Sequence, residues 1–326
     1  MARLGTAVVA LLLVGYAVAS IAQPATKLHR IGYLSLTAAP ETPQSVLVQE
    51  LRELGYIEGR NLVLEQRYAA ADLKRLERFA AELASLKVDL IIASATPAVQ
   101  AAQRASRTIP IVFVAVVDPV GARLVASLAR PGGNTTGISL LSAELSAKRL
   151  ELLGEVLPRL SRVAVLLNPS NTSNALQLRE LQSAARPRGV QLEFLEVTLP
   201  GEIEPALKKA ARDGANALMV FDDPMLGAPN QRARLVASVQ SHRLPAVAGF
   251  AAFADAGLLL TYGPSFLHQF RRAAAYADRI LKGAIPADLP VEQPAEFELI
   301  VNMKTARSLG LAVPNSVLLR ANRIID

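Results

Sequence analysis

Short apolar runs alternate with amphipathic segments along most of this chain. The run at residues 88–93 (VDLIIA) is apolar nearly throughout, which predicts a buried strand. The segment that follows Asp72 carries apolar side chains at helical spacing, at Leu73, Leu76, Phe79, Ala80 and Leu83. This spacing predicts a helix with Asp72 as its N-terminal cap. Apolar strands that alternate with such helices are typical of a parallel sheet covered on both faces.

The pattern restarts near the middle of the chain. Residues 30–35 (RIGYLS) open a first series of strands and helices, and residues 162–167 (RVAVLL) open a second. Because 326 residues also exceed what one hydrophobic core comfortably holds, we predict an α/β fold with two doubly wound parallel-sheet lobes. The last stretch is expected to return to a lobe already built, which makes the domains discontinuous. We predict an N-terminal lobe from residues 23–140 plus 264–295 and a C-terminal lobe from residues 141–263 plus 296–326.

The first 22 residues have the pattern of a cleaved signal peptide. Arg3 gives a positive start, residues 7–19 are uncharged and apolar, and Ser20-Ile21-Ala22 fits the small-x-small cleavage rule. The apolar run is short for crossing a bilayer, and an uncleaved anchor is the alternative. The chain has no cysteine, which excludes a disulfide and a lipid-modified cysteine. We therefore expect a soluble periplasmic protein without a lipid anchor.

The net charge of +7 raises the question of an anionic partner such as nucleic acid. Lysines and arginines are spread over predicted helix faces, as at Lys208, Lys209 and Arg212, and acidic residues lie between them. Because there is no basic block and no tryptophan, we interpret the charge as a solvated surface. We expect no nucleic-acid partner and a monomeric protein.

The candidate ligand-binding residues are those that follow the predicted strands, because open parallel sheets bind ligands at the carboxyl ends of their strands. They are Ser35, Thr37, Ser94, Thr96, Asp118 and Ser139 in the first half and Ser170, Asn171, Asp222 and Phe250 in the second. The hydroxyls, amides and helix starts in this set suit a carboxylate or another small anion. Thr96 and Asp118 each precede a proline, and helix capping alone would also explain them.

The adjacent acids Asp222 and Asp223 have two interpretations. A metal pair is weakly indicated, because no third ligand lies nearby in the sequence. We favour one of the two as a helix cap and the other as the partner of a ligand amine.

Catalytic and cofactor motifs do not occur in the sequence. There is no cysteine nucleophile, and His29, His242 and His268 are scattered without metal-ligand spacing. No G-x-S-x-G elbow, dinucleotide-binding glycine motif or ATP-binding P-loop is found. We therefore predict a protein that is not an enzyme and that has no catalytic residue, metal site or cofactor. An enzyme on an α/β scaffold is the less favoured alternative.

The chain resembles the ABC transporter substrate-binding family that includes tryptophan- and tyrosine-type binding proteins. The resemblance is carried by residues 88–139 (VDLIIASATPAVQAAQRASRTIPIVFVAVVDPVGARLVASLARPGGNTTGIS). The segments LRELGYIEGRNLVLE, LKGAIPADLPVE and NMKTARSLGLAVPNSVL are also similar, so the match covers nearly all of the chain after residue 22. The combination of ATPA, DP-x-GA-x-LV and RPGGN-x-TG makes the resemblance specific.

This resemblance implies a type I periplasmic-binding fold with a three-strand hinge, in which ligand closes the two lobes. The family's first-lobe contacts fall on Ser35, Ser94, Thr96, Asp118 and Ser139, and its second-lobe loops fall on Ser170, Asn171, Asp222 and Phe250. In amino-acid-binding members the first lobe would hold the charged backbone end of the ligand, and the second would help to select its side chain. Without tryptophan, a stacking ring would have to come from Tyr33, Tyr262 or Phe250.

These features together predict a periplasmic solute-binding protein of an ABC importer. It would capture a small polar solute, an amino acid or small carboxylate in the first place, and deliver it to an inner-membrane permease. The alternative is a periplasmic ligand sensor that docks on a signalling receptor. A cytoplasmic repressor of similar two-lobed form is disfavoured by the export signal and by the missing DNA-binding helices.

Overall fold

A computed structural model describes residues 27–37, 42–140, 142–171 and 174–326. The predicted signal peptide, residues 1–22, lies outside the described residues. Among the helices in the described ranges, none has the length and apolar character needed to cross a bilayer.

The first lobe is built on a sheet of five parallel strands in the order β2-β1-β3-β4-β5. The strands are β1 (His29–Ser35), β2 (Leu62–Tyr68), β3 (Leu90–Ser94), β4 (Ile111–Val116) and β5 (Thr135–Ser139). Three helices connect them: α1 (Thr42–Glu53), α2 (Leu73–Ser85) and α3 (Thr96–Ala105). The predicted Asp72 cap is confirmed, because its carboxylate accepts the backbone N–H of Arg75 at 3.0 Å.

The second lobe contains a seven-stranded sheet in the order β12-β11-β10-β9-β8-β6-β7, parallel except for the β10–β11 pair. Its strands are β6 (Arg162–Leu167), β7 (Gln191–Glu196), β8 (Ala217–Val220), β9 (Ala246–Ala248), β10 (Leu260–Pro264), β11 (Phe297–Asn302) and β12 (Arg323–Ile325). The remaining helices are α4 (Ser142–Val156), α5 (Asn174–Ala185), α6 (Ile203–Arg212), α7 (Pro224–Gly227), α8 (Pro229–Ser241), α9 (Ala251–Asp255), α10 (Phe266–Leu281), α11 (Met303–Leu309) and α12 (Asn315–Leu318). Short 3₁₀ turns lie at Arg186–Arg188, Pro200–Glu202 and Pro286–Asp288.

Each sheet buries both of its faces, as the nearly continuous apolar strands predict. In β3, Ile91 packs into the core on one face and Ile92 into the core on the other. Val165 and Leu166 of β6 divide in the same way between the two cores of the second lobe. The predicted fold class, an α/β protein with two parallel-sheet lobes, is confirmed.

The chain passes between the two lobes three times. It leaves the first sheet after β5, returns after β10 to form α10 against α1 and β4, and crosses again before β11. The last crossing is attached to the first lobe by two backbone bonds, from Ser139 N–H to Glu292 O and from Glu292 N–H to Gly137 O, each 2.9 Å. The lobe boundaries given above stay a prediction.

The segment after Asp118 differs from the expected helix. Residues 119–123 form turns. The Asp118 carboxylate accepts the N–H of Gly121 at 2.7 Å. A short acidic side chain that bonds the backbone three residues on favours a local turn over a helix.

Candidate functional site

A cavity of about 710 Å³ lies between the two lobes. Its walls come from the carboxyl ends of β1, β3 and β4 in the first lobe and of β8, β9 and β10 in the second. Volumes of this size are typical of small-molecule sites, and this edge of a parallel sheet is where such sites form. Seven predicted residues line the cavity: Ser35, Thr37, Ser94, Thr96, Asn171, Asp222 and Phe250.

Hydroxyl groups make up much of the first-lobe wall. The Ser35 and Thr37 hydroxyl oxygens are 3.0 Å apart, and the Thr37 N–H donates to Ser35 Oγ at 3.2 Å. Ser94 ends β3, and Thr96 begins α3 with only 4% of its surface exposed. These short side chains present oxygen atoms to the cavity on a backbone fixed by the sheet.

The start of α3 corrects the expectation that Thr96 caps this helix. The cap position is held by Ala95, whose side chain has no oxygen, and Pro97 follows in the first turn. Ala95 has φ +73° and ψ 156°, a region that residues other than glycine rarely occupy. The strained residue leaves the N-terminus of α3 at the cavity without a side-chain cap, an arrangement suited to a ligand anion.

On the second-lobe side, the adjacent acids after β8 have different partners. Asp223 caps α7, because its Oδ1 accepts the Met225 N–H at 2.9 Å while its Oδ2 accepts Asn171 Nδ2–H at 3.0 Å. Burial raises the pKa of the Asp223 carboxyl, although these hydrogen bonds act in the opposite direction. Asp222 instead pairs with Arg149, Nη2 to Oδ2 at 2.9 Å. One acid is thus the helix cap that we expected.

Two phenyl rings complete the cavity wall. Phe250, at the N-terminal cap of α9, and Phe266, the first residue of α10, meet edge to face with ring centroids 4.7 Å apart. Of the three rings considered from the sequence, Tyr33 is buried against Tyr68 and Tyr262 stacks on Phe297. Phe250 is the one of the three that lines the cavity.

Three of the predicted residues lie outside the cavity lining. Asp118 closes its own turn, and Ser139 is buried at the end of β5. Ser170 is exposed in a turn, where its N–H donates to Asn168 Oδ1 at 3.0 Å. Their role in ligand binding stays a prediction.

Several lining residues were missed by the sequence reasoning. Ser265 and Phe266 directly follow β10, so the rule applied to the other strands would have found them. Arg232 lies within α8 and donates to Gly227 O at 2.7 Å. Arg323 and Asp255 also line the cavity, and Arg323 Nη1 pairs with Asp255 Oδ1 at 2.7 Å. No local pattern connects these last residues to a cleft.

Within the described ranges, no group of three or more histidine or acidic side chains is placed to hold a metal ion. The two adjacent acids considered as a metal pair are engaged by Arg149 and by the start of α7. The cavity therefore offers hydrogen bonds, charged side chains and aromatic surface, which suit reversible binding.

A match to a known protein family shows to which family this chain belongs. The sequence profile of the family "ABC transporter substrate binding protein" matches residues 41–325. The chain belongs to this family. Its members are substrate-binding transport proteins rather than enzymes, and they are typically extracellular or periplasmic.

Relatives of this substrate-binding protein include one with a named ligand. The chain is 28% identical over 288 residues to a tyrosine-binding protein of Clostridioides difficile (strain R20291), covering 87% of this chain and 82% of the relative. This likeness supports the tryptophan- and tyrosine-type branch of the family.

Solved structures agree with the type I periplasmic-binding fold of this substrate-binding protein. An ABC domain in complex with L-Trp from Streptococcus pneumoniae overlays with a TM-score of 0.84 at 25% identity, covering 92% of this chain and all of that one. A conserved domain protein from Vibrio cholerae gives 0.85 at 26% identity, covering 92% and 99% of the two chains. The ligand-free, open structure of a substrate binding protein with adhesive properties from Clostridium difficile gives 0.67 at 26% identity, covering 91% and 99%.

Proposed function

We propose that this protein is the periplasmic receptor of an ABC importer and that its solute is an amino acid. The observation that carries the proposal is a cavity lined by both lobes, with hydroxyls on the first lobe and acidic side chains on the second. In its wall the ring of Phe250 from the second lobe meets that of Phe266 at the start of α10. The tyrosine-binding relative and the tryptophan complex support an amino acid as the solute class.

The chemistry of the cavity assigns an orientation to the ligand. Its carboxylate would lie at the uncapped start of α3, near the hydroxyls of Ser94 and Thr96, where helix dipole and hydrogen bonds favour an anion. Its ammonium would bind Asp222, which is the acid that caps no helix. Its side chain would contact the rings of Phe250 and Phe266, which suits an aromatic or large apolar group.

Binding would close the lobes about the three crossing segments. The chain overlays better on the tryptophan complex than on the ligand-free open structure, although identity and coverage are nearly the same for both. This difference supports a closed arrangement of the lobes. Closure would bury the ligand and create the surface that a permease recognises.

Export and delivery complete the proposal. The predicted signal peptide at residues 1–22 would direct the chain to the periplasm. There the closed receptor, without a lipid anchor, would dock as a monomer on an inner-membrane permease. The same closure would serve a sensor, and the presence of permease-dependent uptake separates the two roles.

A thermal-unfolding screen of residues 23–326 against the twenty amino acids, small carboxylates and sugars tests this proposal. A ligand at 100 times its Kd stabilises the folded state by about 2.7 kcal/mol, which raises Tm in a concentration-dependent way. We expect an aromatic or large apolar L-amino acid to give the greatest rise, and calorimetric titration to give one site per chain. If carboxylates or sugars shift Tm and no amino acid does, the proposed solute class is wrong.

A further inference from the structure

The largest fully buried side chain among the described residues is a cation, Arg149 of α4, with 0% exposure. Its Nε–H donates to Tyr262 O of β10 at 2.8 Å, and Nη2 donates to Asp222 Oδ2 after β8 at 2.9 Å. The guanidinium therefore joins the middle of β10 to the segment that follows β8. It does not line the cavity itself but lies behind Asp222, which does.

Two glycines allow this close packing. A Cβ at Gly249, which follows β9, would overlap both Asp222 Oδ1 and Arg149 Nη2. A Cβ at Gly263 of β10 would in turn overlap Gly249 O. The loop after β9 thus lies directly over the ion pair, and the two carboxylate oxygens have different surroundings. Oδ2 is bound to Arg149, while Oδ1 lies beside Gly249.

Burial of such a pair brings little net stability. Removing two charges from water costs several kcal/mol per ion, and apolar residues of similar volume often stabilise a fold as well or better. The other largest fully buried side chains among the described residues are aromatic or aliphatic. A role of the ion pair in the cavity explains its presence better than a contribution to folding does.

We propose that Arg149 is a positioning residue for ligand binding, which keeps Asp222 ionised and fixed so that Oδ1 accepts the ammonium group of the ligand. This inference rests on the proposed function, because it takes Asp222 as the amine partner. A carboxyl group this deeply buried disfavours its ionised form unless an opposite charge lies next to it. Arg149 supplies that charge before the ligand arrives. The carboxylate is therefore already desolvated in the folded protein, and ligand binding does not have to desolvate it.

Other charged groups lie near the pair, and a test has to separate their effect on ligand binding from that of Arg149. On the surrounding elements they are Lys148 and Glu151 of α4, Asp223 before α7, Arg232 of α8, Asp255 of α9, Glu298 of β11 and Arg323 of β12. Lys148 pairs with Glu151, and Arg323 pairs with Asp255. Burial also raises the pKa of the Asp223 carboxyl. The pH dependence of each variant's Kd is therefore compared with that of the wild-type protein.

The experiment measures the Kd of L-tyrosine and L-tryptophan, and of the amino acid that raises Tm most in the screen above, between pH 5.5 and 7.5 by calorimetry. Wild type is expected to change by less than about threefold over this range. Arg149→Met is expected to lose about tenfold or more in affinity as pH falls, since one pH unit of protonation corresponds to tenfold. Asp222→Asn, and the double variant with Arg149→Met, are expected to bind weakly at every pH without that slope.

Two further variants keep the test sharp. Arg162→Met is the matched control, because Arg162 is a partly buried arginine of the same lobe that binds Asp213 O and Gln191 Oε1 at the amino end of β6. It is expected to keep the wild-type profile. Arg149→Lys keeps the charge and is expected to keep a flat profile with weaker affinity, which covers the case that Arg149→Met does not fold.

The role of Arg149 would be overturned if the Kd of Arg149→Met did not change with pH. It would also be overturned if the Kd of Arg149→Lys changed with pH as steeply as we expect for Arg149→Met. Either result would leave the proposed function intact. Binding of the ligand to Asp222→Asn with wild-type affinity would overturn it as well. If wild type binds no amino acid at any pH, the proposed function itself fails. The two failures are therefore distinguishable.

Discussion

The ring of Phe250 meets the ring of Phe266 edge to face, with 4.7 Å between the ring centroids. Phe250 belongs to the second lobe, while Phe266 begins the helix that packs on the first. The contact lies beside the β10 crossover, and both rings line the cavity. A ligand side chain placed against this pair would touch both lobes at once, which couples side-chain recognition to the arrangement of the lobes.

Phe250→Ala should therefore weaken the binding of an aromatic amino acid by about two- to tenfold, since an aromatic contact contributes about 0.5–1.5 kcal/mol beyond the area it buries. An aliphatic amino acid should lose less. Calorimetric titration with both ligands measures the ratio. Phe297→Ala is the control, because that ring stacks on Tyr262 outside the cavity lining. An equal loss of affinity for both ligands would mean that Phe250 does not discriminate between aromatic and aliphatic ligand side chains.

Thr96→Ala should separate ligand binding from helix capping. Thr96 lines the cavity, and Ala95 holds the cap position of α3. Loss of one hydroxyl contact to the ligand is worth about 0.5–1.5 kcal/mol, so affinity should fall about three- to tenfold. Asp72→Ala removes a true cap in the same lobe and should lower Tm without changing Kd. A Thr96→Ala variant with wild-type affinity would exclude its hydroxyl from the ligand contact.

The pair of Arg272 and Glu292 predicts a pH dependence of stability. Arg272 of α10 holds both carboxylate oxygens, at 2.7 and 2.6 Å, next to the last crossing between the lobes. Its hydrogen bonds lower the pKa of Glu292 below the ordinary 4.5. The stabilisation is therefore present above pH 4.5 and is lost as pH falls through the lower pKa of the folded state.

Glu292→Gln should accordingly lower the free energy of unfolding at pH 7 by about 0.5–1 kcal/mol, a modest figure because both side chains are partly exposed and solvent screens them. The difference from wild type should shrink below pH 4.5. Urea unfolding at pH 7 and at pH 3.5 measures it. In an Arg272→Met background the substitution should have little effect at either pH. If Glu292→Gln lowers the free energy of unfolding as much at pH 3.5 as at pH 7, the stabilisation by Glu292 does not come from its ion pair.

The sequence predicts the scaffold better than it predicts the cleft. Apolar residues at helical spacing identify the helix capped by Asp72, and continuous apolar runs identify buried strands such as β3. Both are local properties of the sequence. Asp118 misled the interpretation, since its side chain closes a turn as readily as it caps a helix. Arg323 and Asp255 meet only through the order of strands in the second sheet, which no local pattern contains.

Arg149 is the instructive case, because a signal for it exists. It lies four residues after Leu145 and three before Leu152, and both leucines are buried. Helical spacing therefore places a cation on the apolar face of α4, where a charge is costly unless it has a partner. Its partner, Asp222, follows a strand 73 residues further on and is found only in the folded chain.

Gly249 should tolerate a methyl group poorly, because it lies against the buried ion pair. Its Cβ would overlap Asp222 Oδ1 and Arg149 Nη2, which are buried and fixed by their ion pair, so the pair or the loop after β9 must move. Overpacking of this kind costs about 1–3 kcal/mol, and Gly249→Ala should show that loss in urea unfolding together with weaker amino-acid binding. Gly154→Ala is the matched control in α4, where a Cβ meets nothing within 4 Å. There alanine should stabilise the helix by about 0.5–1 kcal/mol and leave Kd unchanged. A Gly249→Ala variant as stable as wild type would show that the ion pair can shift, and the fixed placement of Asp222 would then be wrong.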